Sequence, residues 1–353
     1  MRHLKKDIFN SLILLFILVL LEISINVKAE DGLPGYPDKV PGASLIVPFF
    51  EVGVDANAHP EDTLLVVSNI STDNCTIHYH VWTIDGESTQ LYGNFELSSN
   101  SSISFSVRAW INSSTEDVQN KLQVTDSYWR GFITFDLVTT ETNDPPIATG
   151  FPFENKNNLV GYIYYTRLTE GSSIGLNMIS LEYLNTTLDF RINDFYDNND
   201  GREEINADAR KCAKNMIYGV ACETDSTMDR IYARLFLSPT LDVKTRFILF
   251  SWNPGYLGGP SKYCELNGCN SRYSFKIYDD NGTVLSSYKL RFDHVVNVVE
   301  LTGTHGARIE LEGLVERGAF QSYAFSINSA NADQNSLGFK ASWDAIFEAN
   351  MIP

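Results

Sequence analysis

The chain has 353 residues, 43% of them hydrophobic and 12% aromatic, with 27 Lys and Arg against 44 Asp and Glu, so its net charge is −17. Nucleic acid and anionic membrane surfaces both reward Lys and Arg, and this balance argues against either as a partner. An acidic surface favours solubility and names no ligand.

Residues 1–29 read as a signal peptide. Arg2, Lys5 and Lys6 precede an apolar run from Ile8 to Leu21, and Val27-Lys28-Ala29 supplies compact residues before a cut. The apolar core is shorter than a comfortable membrane span, so a retained anchor is the lesser reading. The mature chain is expected to start near Glu30, not to span a membrane, and to be secreted, periplasmic or at the cell surface. Residues 30–43, "EDGLPGYPDKVPGA", form a Gly- and Pro-bearing flexible leader that could serve as an assembly arm.

Strand-type segments then dominate: "SLIVPFFEV" (44–52), "TLLVVSN" (63–69), "TIHYHVWTI" (76–84), "SISFSVRAW" (102–110), "RGFITFDLV" (130–138) and "LVGYIYYTRL" (159–168). Later come "RIYARLFL" (230–237), "TRFILFSW" (245–252), "RYSFKIY" (272–278), "HVVNVVEL" (294–301), "ARIELEGL" (307–314), "SYAFSIN" (322–328) and "GFKASW" (338–343). They are rich in β-branched and aromatic residues and are separated by Gly, Pro, Asn and Asp, the pattern of an antiparallel all-β protein. Pro48 interrupts the first of them, which predicts an edge strand. Helix is expected at 202–216, where Ile205, Ala209, Cys212 and Met216 share one stripe. A shorter helical turn is expected at "SSTEDVQNKLQ", with Ser114 and Asp117 at capping-box-like spacing.

The chain repeats itself. With Gly86 placed over Gly282, "CTIHYHVWTIDG" lies over "SRYSFKIYDDNG" without a gap, and "TLLVVSN" echoes "TRFILFSW" upstream. The expected architecture is two tandem immunoglobulin-like or fibronectin-like sandwiches, 44–190 and 229–353, joined by an acidic loop and helix at 191–228. An outer-membrane barrel is a rival reading of alternating strands. The repeat and a tail, "FEANMIP", without a terminal aromatic count against it.

Several clusters could carry chemistry. His78 and His80 are two apart on a strand and share a face, which permits a metal site. Under the repeat they match Ser274 and Lys276, so the expected face is a solvated one with Ile77, Tyr79 and Val81 buried behind it. Asp194, Asp197 and Asp200, with Glu203 and Glu204, offer hard oxygen ligands of the kind calcium takes, yet the spacing is not an EF-hand. A solvated acidic loop before a helix explains the same residues. Of five cysteines, Cys212 with Cys222 and Cys264 with Cys269 make the economical disulfides, leaving Cys75 over. Asn69, Asn74, Asn100, Asn112, Asn185 and Asn281 head Asn-x-Ser/Thr sequons, glycan acceptors if the cell is eukaryotic. Trp82, Trp110, Trp129, Trp252 and Trp343 could form a sugar-stacking platform, or fill the core as strand aromatics more often do.

No Gly-x-Ser-x-Gly elbow, His-Glu-x-x-His or Cys–His signature is present, so no catalytic residue is assigned. The stretch "GASLIVPFFEVG", followed by "TLLVVSN" and a strand ending in Asp-Gly, resembles the opening of a group of uncharacterised exported bacterial tandem β-sandwich proteins. The resemblance covers the N-terminal region, implies an envelope origin, and transfers neither an activity nor a residue role. The leading functional expectation is a non-catalytic secreted or envelope protein with a structural, adhesive or assembly role and no resident cofactor. Its partners would be an extracellular protein, a glycan or a second copy of itself. The rivals are a carbohydrate-binding or glycan-active protein, and a metal-binding protein using His78 and His80.

Overall fold

The β-branched and aromatic segments of the N-terminal half fold as β1 (Ser44–Gly53), β2 (Glu61–Asn69), β3 (Cys75–Thr83), β4 (Ser88–Leu97), β5 (Ser101–Ser106), β6 (Gln123–Thr125), β7 (Tyr128–Val138), β8 (Leu159–Arg167), β9 (Ser172–Asn177) and β10 (Ile179–Leu181). Two short helices, α1 (Val107–Ser113) and α2 (Glu116–Leu122), interrupt them. The C-terminal half supplies β11 (Ile217–Tyr218), β12 (Arg230–Leu237), β13 (Val243–Trp252), β14 (Arg272–Tyr278), β15 (Val284–Arg291), β16 (Val296–Thr302), β17 (Gly306–Leu314), β18 (Gln321–Gln334), β19 (Phe339–Glu348) and β20 (Asn350–Met351). This computed structural model describes residues 41–125, 127–144, 151–154, 156–167, 172–181, 217–218, 230–237, 243–252, 272–279, 281–291, 294–302, 306–314, 321–334, 339–348 and 350–351. The segment 1–29, most of the 30–43 leader, the acidic cluster Asp194, Asp197 and Asp200, the 202–216 helix, Asn185 and both expected cysteine pairs lie outside the described residues.

Four antiparallel sheets result. Sheet I has the order β10-β1-β7-β3-β4, with β6 also on β7, and sheet II is β5-β2-β8-β9. Sheet III is β11-β18-β13-β16, with β19 on the free part of β18, and sheet IV is β15-β14-β17-β12-β20. Strand for strand, sheet IV follows sheet I and the ladder β16-β13-β18-β19 follows β5-β2-β8-β9. Among the described residues each sheet is open. All these strands belong to one compact unit, Leu33–Pro353.

The correspondence reaches into the hairpin geometry. Gly86 N donates to Thr83 O at 3.1 Å and Thr83 N to Glu87 O at 3.0 Å; Gly282 N donates to Asp279 O at 3.1 Å and Asp279 N to Thr283 O at 3.0 Å. Gly86 has φ +83° and Gly282 φ +82°. Each is a three-residue loop closed by a left-handed residue; further along each hairpin the register shifts once more, at Val81/Trp82 beside Gln90 with φ +64° and at Ile277/Tyr278. A Cβ on Gly282 would meet nothing within 4 Å, so only backbone conformation opposes a substitution. Gly282→Ala is therefore expected to cost about 1–2 kcal/mol, read as a lowered urea midpoint; an unchanged midpoint would show that the turn relaxes to another type.

Two expectations about local structure are corrected. The strand expected over 102–110 ends at Ser106, because Ser106 turns into an N-cap whose Oγ accepts from Ala109 N at 3.1 Å and donates to Asp62 Oδ2 at 2.7 Å. The helix that follows carries Arg108, whose guanidinium donates to the carbonyls of Gly53 (2.6 Å), His59 (3.2 Å) and Glu61 (2.5 Å), tying down the β1–β2 connection. The second correction concerns β1, which lies inside sheet I between β7 and β10 and is buried along its whole length. Pro48 sits where the register with β7 breaks, between Val47 and Phe50, so the missing amide falls at an irregularity rather than at an edge. The helix expected near 114–122 is present as α2, capped by Thr115 rather than Ser114.

Sheets I and II face each other through Leu45, Val47, Phe50, Ile77, Val81, Ile133 and Phe135 on one side and Leu65, Val67 and Ile163 on the other, all fully buried. That cluster is continuous with one face of sheet III: Ile248, Phe250, Val296, Phe325 and Ile327 join it, Phe250 meeting Phe132 at 5.4 Å and Phe325 stacking on Tyr165 at 6.0 Å. Phe247 and Leu249, buried on the opposite face of β13, belong to the packing against sheet IV. A charged knot sits in the same junction. Glu51, 3% exposed, accepts from Arg130 Nε at 2.7 Å and contacts Arg246 of β13 with its other oxygen.

Candidate functional site

The sequence singled out one face of β3, and the structure gives that face a different character. His78 and His80 do project together, but both are 0% exposed rather than solvated. Burial on both sides of β3 follows from the layers: Ile77 and Val81 pack toward sheet II, while the histidine face is covered in part by Phe151, whose ring meets His78 edge-on at 5.3 Å. The registers Ser44↔Asp136, His78↔Asp136 and His78↔Asn94 line four polar residues across four neighbouring strands. Ile46, Thr134, His80 and Tyr92 form the next row.

In these rows Ser44 Oγ donates to the Asp136 carboxylate, His78 Nδ1 pairs with Asn94 Oδ1 at 3.2 Å, and His80 Nε2 pairs with Ser88 Oγ at 2.9 Å. A serine, a carboxylate and an imidazole thus lie side by side in the wrong order for nucleophile activation. The serine proton goes to the carboxylate, and the imidazole faces an amide. His78 Nε2 and His80 Nδ1 are buried without a hydrogen-bond partner among the described residues. Burial lowers the pKa of both rings, and for His80 it acts with the neighbouring His78 to bring the value to about 3. Both are neutral at physiological pH. Among the described residues, no three His, Cys, Asp or Glu side chains converge on a cation position.

The other sequence candidates scatter. Asn69, expected as a glycan acceptor, is 1% exposed and spends its amide on the turn beyond β2, donating to Asp73 O at 2.7 Å and Ser98 O at 3.1 Å. It is a turn lock. Asn74, Asn100, Asn112 and Asn281 are exposed. Trp82 and Trp129 are 1% and 4% exposed and belong to the core, and Trp110 stacks on Tyr79 at 4.5 Å. No tryptophan platform forms among these three. Cys75 is half-buried and free, and burial pushes its thiol up to about 11 despite the backbone bond to Leu97. Since thiolate is the nucleophile, Cys75 in the folded chain should alkylate far more slowly at pH 8 than in urea. Equal rates by peptide mapping would contradict its placement.

A surface the sequence did not reveal lies on the outer face of sheet II. Its central row is Ser104–Val66–Tyr162–Asn177, its next Ser106–Leu64–Tyr164–Gly175, and its third Ser102–Ser68–Val160. These rows hold no charged side chain, although 20% of the chain is charged. Tyr162 and Tyr164 are 38% and 37% exposed, large for aromatics on a sheet. The absence of a side chain at Gly175 lets the Tyr164 ring lie close, since a Cβ there would be 3.1 Å from Tyr164 Cε1. Ser68 and Ser102 share a hydroxyl–hydroxyl bond of 2.6 Å.

The repeat supplies an internal comparison. Aligning Thr63 with Thr245 puts Val66 on Ile248, and the ladders Val66↔Tyr162 and Ile248↔Phe325 then put Tyr162 on Phe325 and Tyr164 on Ile327. In the C-terminal set the centre of this face is covered: Phe325 is 0% and Ile327 2% exposed, packed on the N-terminal strands, while Arg246 and Glu300 form the next row. In the N-terminal set it is open.

No protein-family model matches the chain, and no curated protein sequence matches it. Among solved structures, the Pleurotus ostreatus lectin is similar both in its complex with GalNAc and in its apo form, each at 9% identity with a TM-score of 0.21, covering 92% of this chain and 82% of that one. At that score the likeness assigns neither strand order nor ligand.

Proposed function

We propose that this chain is a non-catalytic exported protein, secreted or in the cell envelope, built of two tandem β-sandwich modules and adhesive in role, with the outer face of sheet II as its contact surface. The term immunoglobulin-like describes the two-layer antiparallel packing; the strand order has its own character, since β1 and β2 fall in different sheets whereas the first two strands of an immunoglobulin domain share one. One observation supports the contact surface above the others: a face that serves as packing surface in the C-terminal set is uncharged and open in the N-terminal set. Binding patches are depleted of charge and enriched in Tyr, and both traits are concentrated here. The arrangement at Ser44, Asp136 and His78 gives no support to an enzymatic reading.

A charge in the middle of this face should abolish contact while sparing the fold, because an outward position on a sheet tolerates polar residues. The test is retention of the labelled chain on intact cell surfaces, comparing the parent with Val66→Lys after circular dichroism has shown equal folding. Undiminished retention of Val66→Lys would remove sheet II from the proposal.

A further inference from the structure

We infer that the ligand of the sheet II face is a neutral oligosaccharide, lying across Tyr162 and Tyr164 with its hydroxyls served by the flanking serines and Asn177; this rests on the reading of that face as the contact surface. The argument comes from comparing the two equivalent faces. Where the C-terminal set packs protein on protein, the positions are Val296, Val298, Ile248, Phe250, Phe325 and Ile327, an apolar patch whose next row carries the charged pair Arg246 and Glu300. At the matching positions the N-terminal set has Ser102, Ser104, Val66, Ser68, Tyr162 and Tyr164. The scaffold is the same and the chemistry has changed from apolar packing to a hydroxyl-rich patch, with one ring kept (Phe325 to Tyr162), one gained (Ile327 to Tyr164) and one lost (Phe250 to Ser68).

A second sheet docking on this face would bury those serine hydroxyls, and each one left without a bond would cost free energy. A sugar instead offers what the face lacks. Its C–H faces cover the tyrosine rings and its hydroxyls both donate to and accept from Ser and Asn, the combination of apolar body and polar tip for which Tyr is selected at wet interfaces. Charge decides the class of sugar. The face offers no Lys or Arg to hold a carboxylate or sulfate, and the chain around it is net −17, so sialylated or sulfated glycans are repelled and neutral ones are not. Tyr162 and Tyr164 are two residues apart on β8, which spaces them by about 7 Å along the strand, enough for successive sugar units rather than a single ring.

The test is a glycan array spanning neutral and anionic oligosaccharides, followed by titration of the best neutral hit against the parent, Tyr162→Ala, Tyr164→Ala and the outlying control Val284→Ala, with light scattering of each. Expected is binding to neutral glycans only, weakened at least tenfold by either tyrosine variant, unchanged by Val284→Ala, in a monomeric chain. Preference for anionic glycans would overturn the inference. So would a dimer that Tyr162→Ala dissolves with no glycan bound, which points to a second copy as the occupant. If the array is blank while cell-surface retention still depends on Val66, the ligand class is wrong and the contact surface stands; if both fail, the surface falls as well.

Discussion

Replacing Glu51 by Ala is expected to destabilise the folded chain by about 3–5 kcal/mol, the usual consequence of removing one member of a buried ion pair. The carboxylate is 3% exposed and lies opposite Arg130 in the β1–β7 ladder, with Arg130 Nη2 at 2.6 Å and the guanidinium of Arg246 on its second oxygen. Arg130 has a further carboxylate, Glu300, only at 3.9 Å, and that group is 64% exposed and well hydrated. Deleting Glu51 therefore removes the carboxylate that two guanidiniums share in the junction between the N-terminal sheets and sheet III. Because β1 and β13 come from opposite halves of the sequence, the loss should also loosen their coupling. Urea unfolding followed by tryptophan fluorescence, with limited proteolysis alongside, reads both effects. A Glu51→Ala chain with the parent's midpoint and cleavage rate would show that the carboxylate is solvated, contrary to its position.

Acid is expected to destabilise the protein through His80 across a defined window. The ring sits at about 3 in the folded chain, against an ordinary value near 6.5 in the unfolded one. Between those values the unfolded chain binds a proton that the folded chain refuses, so stability falls as pH falls, at a slope of up to about 1.4 kcal/mol per pH unit from this group. Above pH 6.5 the ring is neutral in both states and its contribution is flat; below about 3 both states are charged and the loss stops. His78 is shifted in the same direction by its own burial and adds to the effect. The carboxylates titrate in part of the same window, so the informative quantity is the difference between the parent and His80→Gln. The variant is expected to lose some stability at pH 7.5, where it gives up the ring contacts to Trp82 at 4.1 Å and Tyr92 at 5.5 Å, and to show a shallower slope between pH 6.5 and 4. Parallel curves for parent and variant would mean that His80 reaches water.

Much of the fold was legible because a strand writes its two faces into the sequence with a period of two. "TLLVVSN" shows it plainly: Leu65 and Val67 are buried, and Leu64, Val66 and Ser68 lie on the outer side. The match of Gly86 to Gly282 was readable for a related reason, since a left-handed turn position restricts the residue almost to Gly. The helix α1 has a local signal in the sequence, since Ser106 before a run without Pro or Gly is an N-cap pattern, but the aromatic and β-branched residues around it mask that pattern.

What the sequence by itself determined is therefore the all-β class, the alternation within strands, the repeat and the turn that closes each hairpin. Only the tertiary structure decided which faces meet water. His78 and His80 alternate as a wet face would, and they are buried because Phe151 lies over His78 and the rings of Trp82 and Tyr92 pack against His80. Tyr162, Tyr164 and Tyr165 are nearly consecutive in one strand, yet Tyr165 is buried with its hydroxyl on the Phe49 carbonyl at 2.8 Å while the other two stand exposed. The physical reason is the same in both cases. Periodicity fixes which residues share a face, a property of the local backbone, whereas what lies over that face depends on strands brought from more than a hundred residues away, as when Phe325 of β18 closes over Tyr165 while the equivalent face of sheet II is left open.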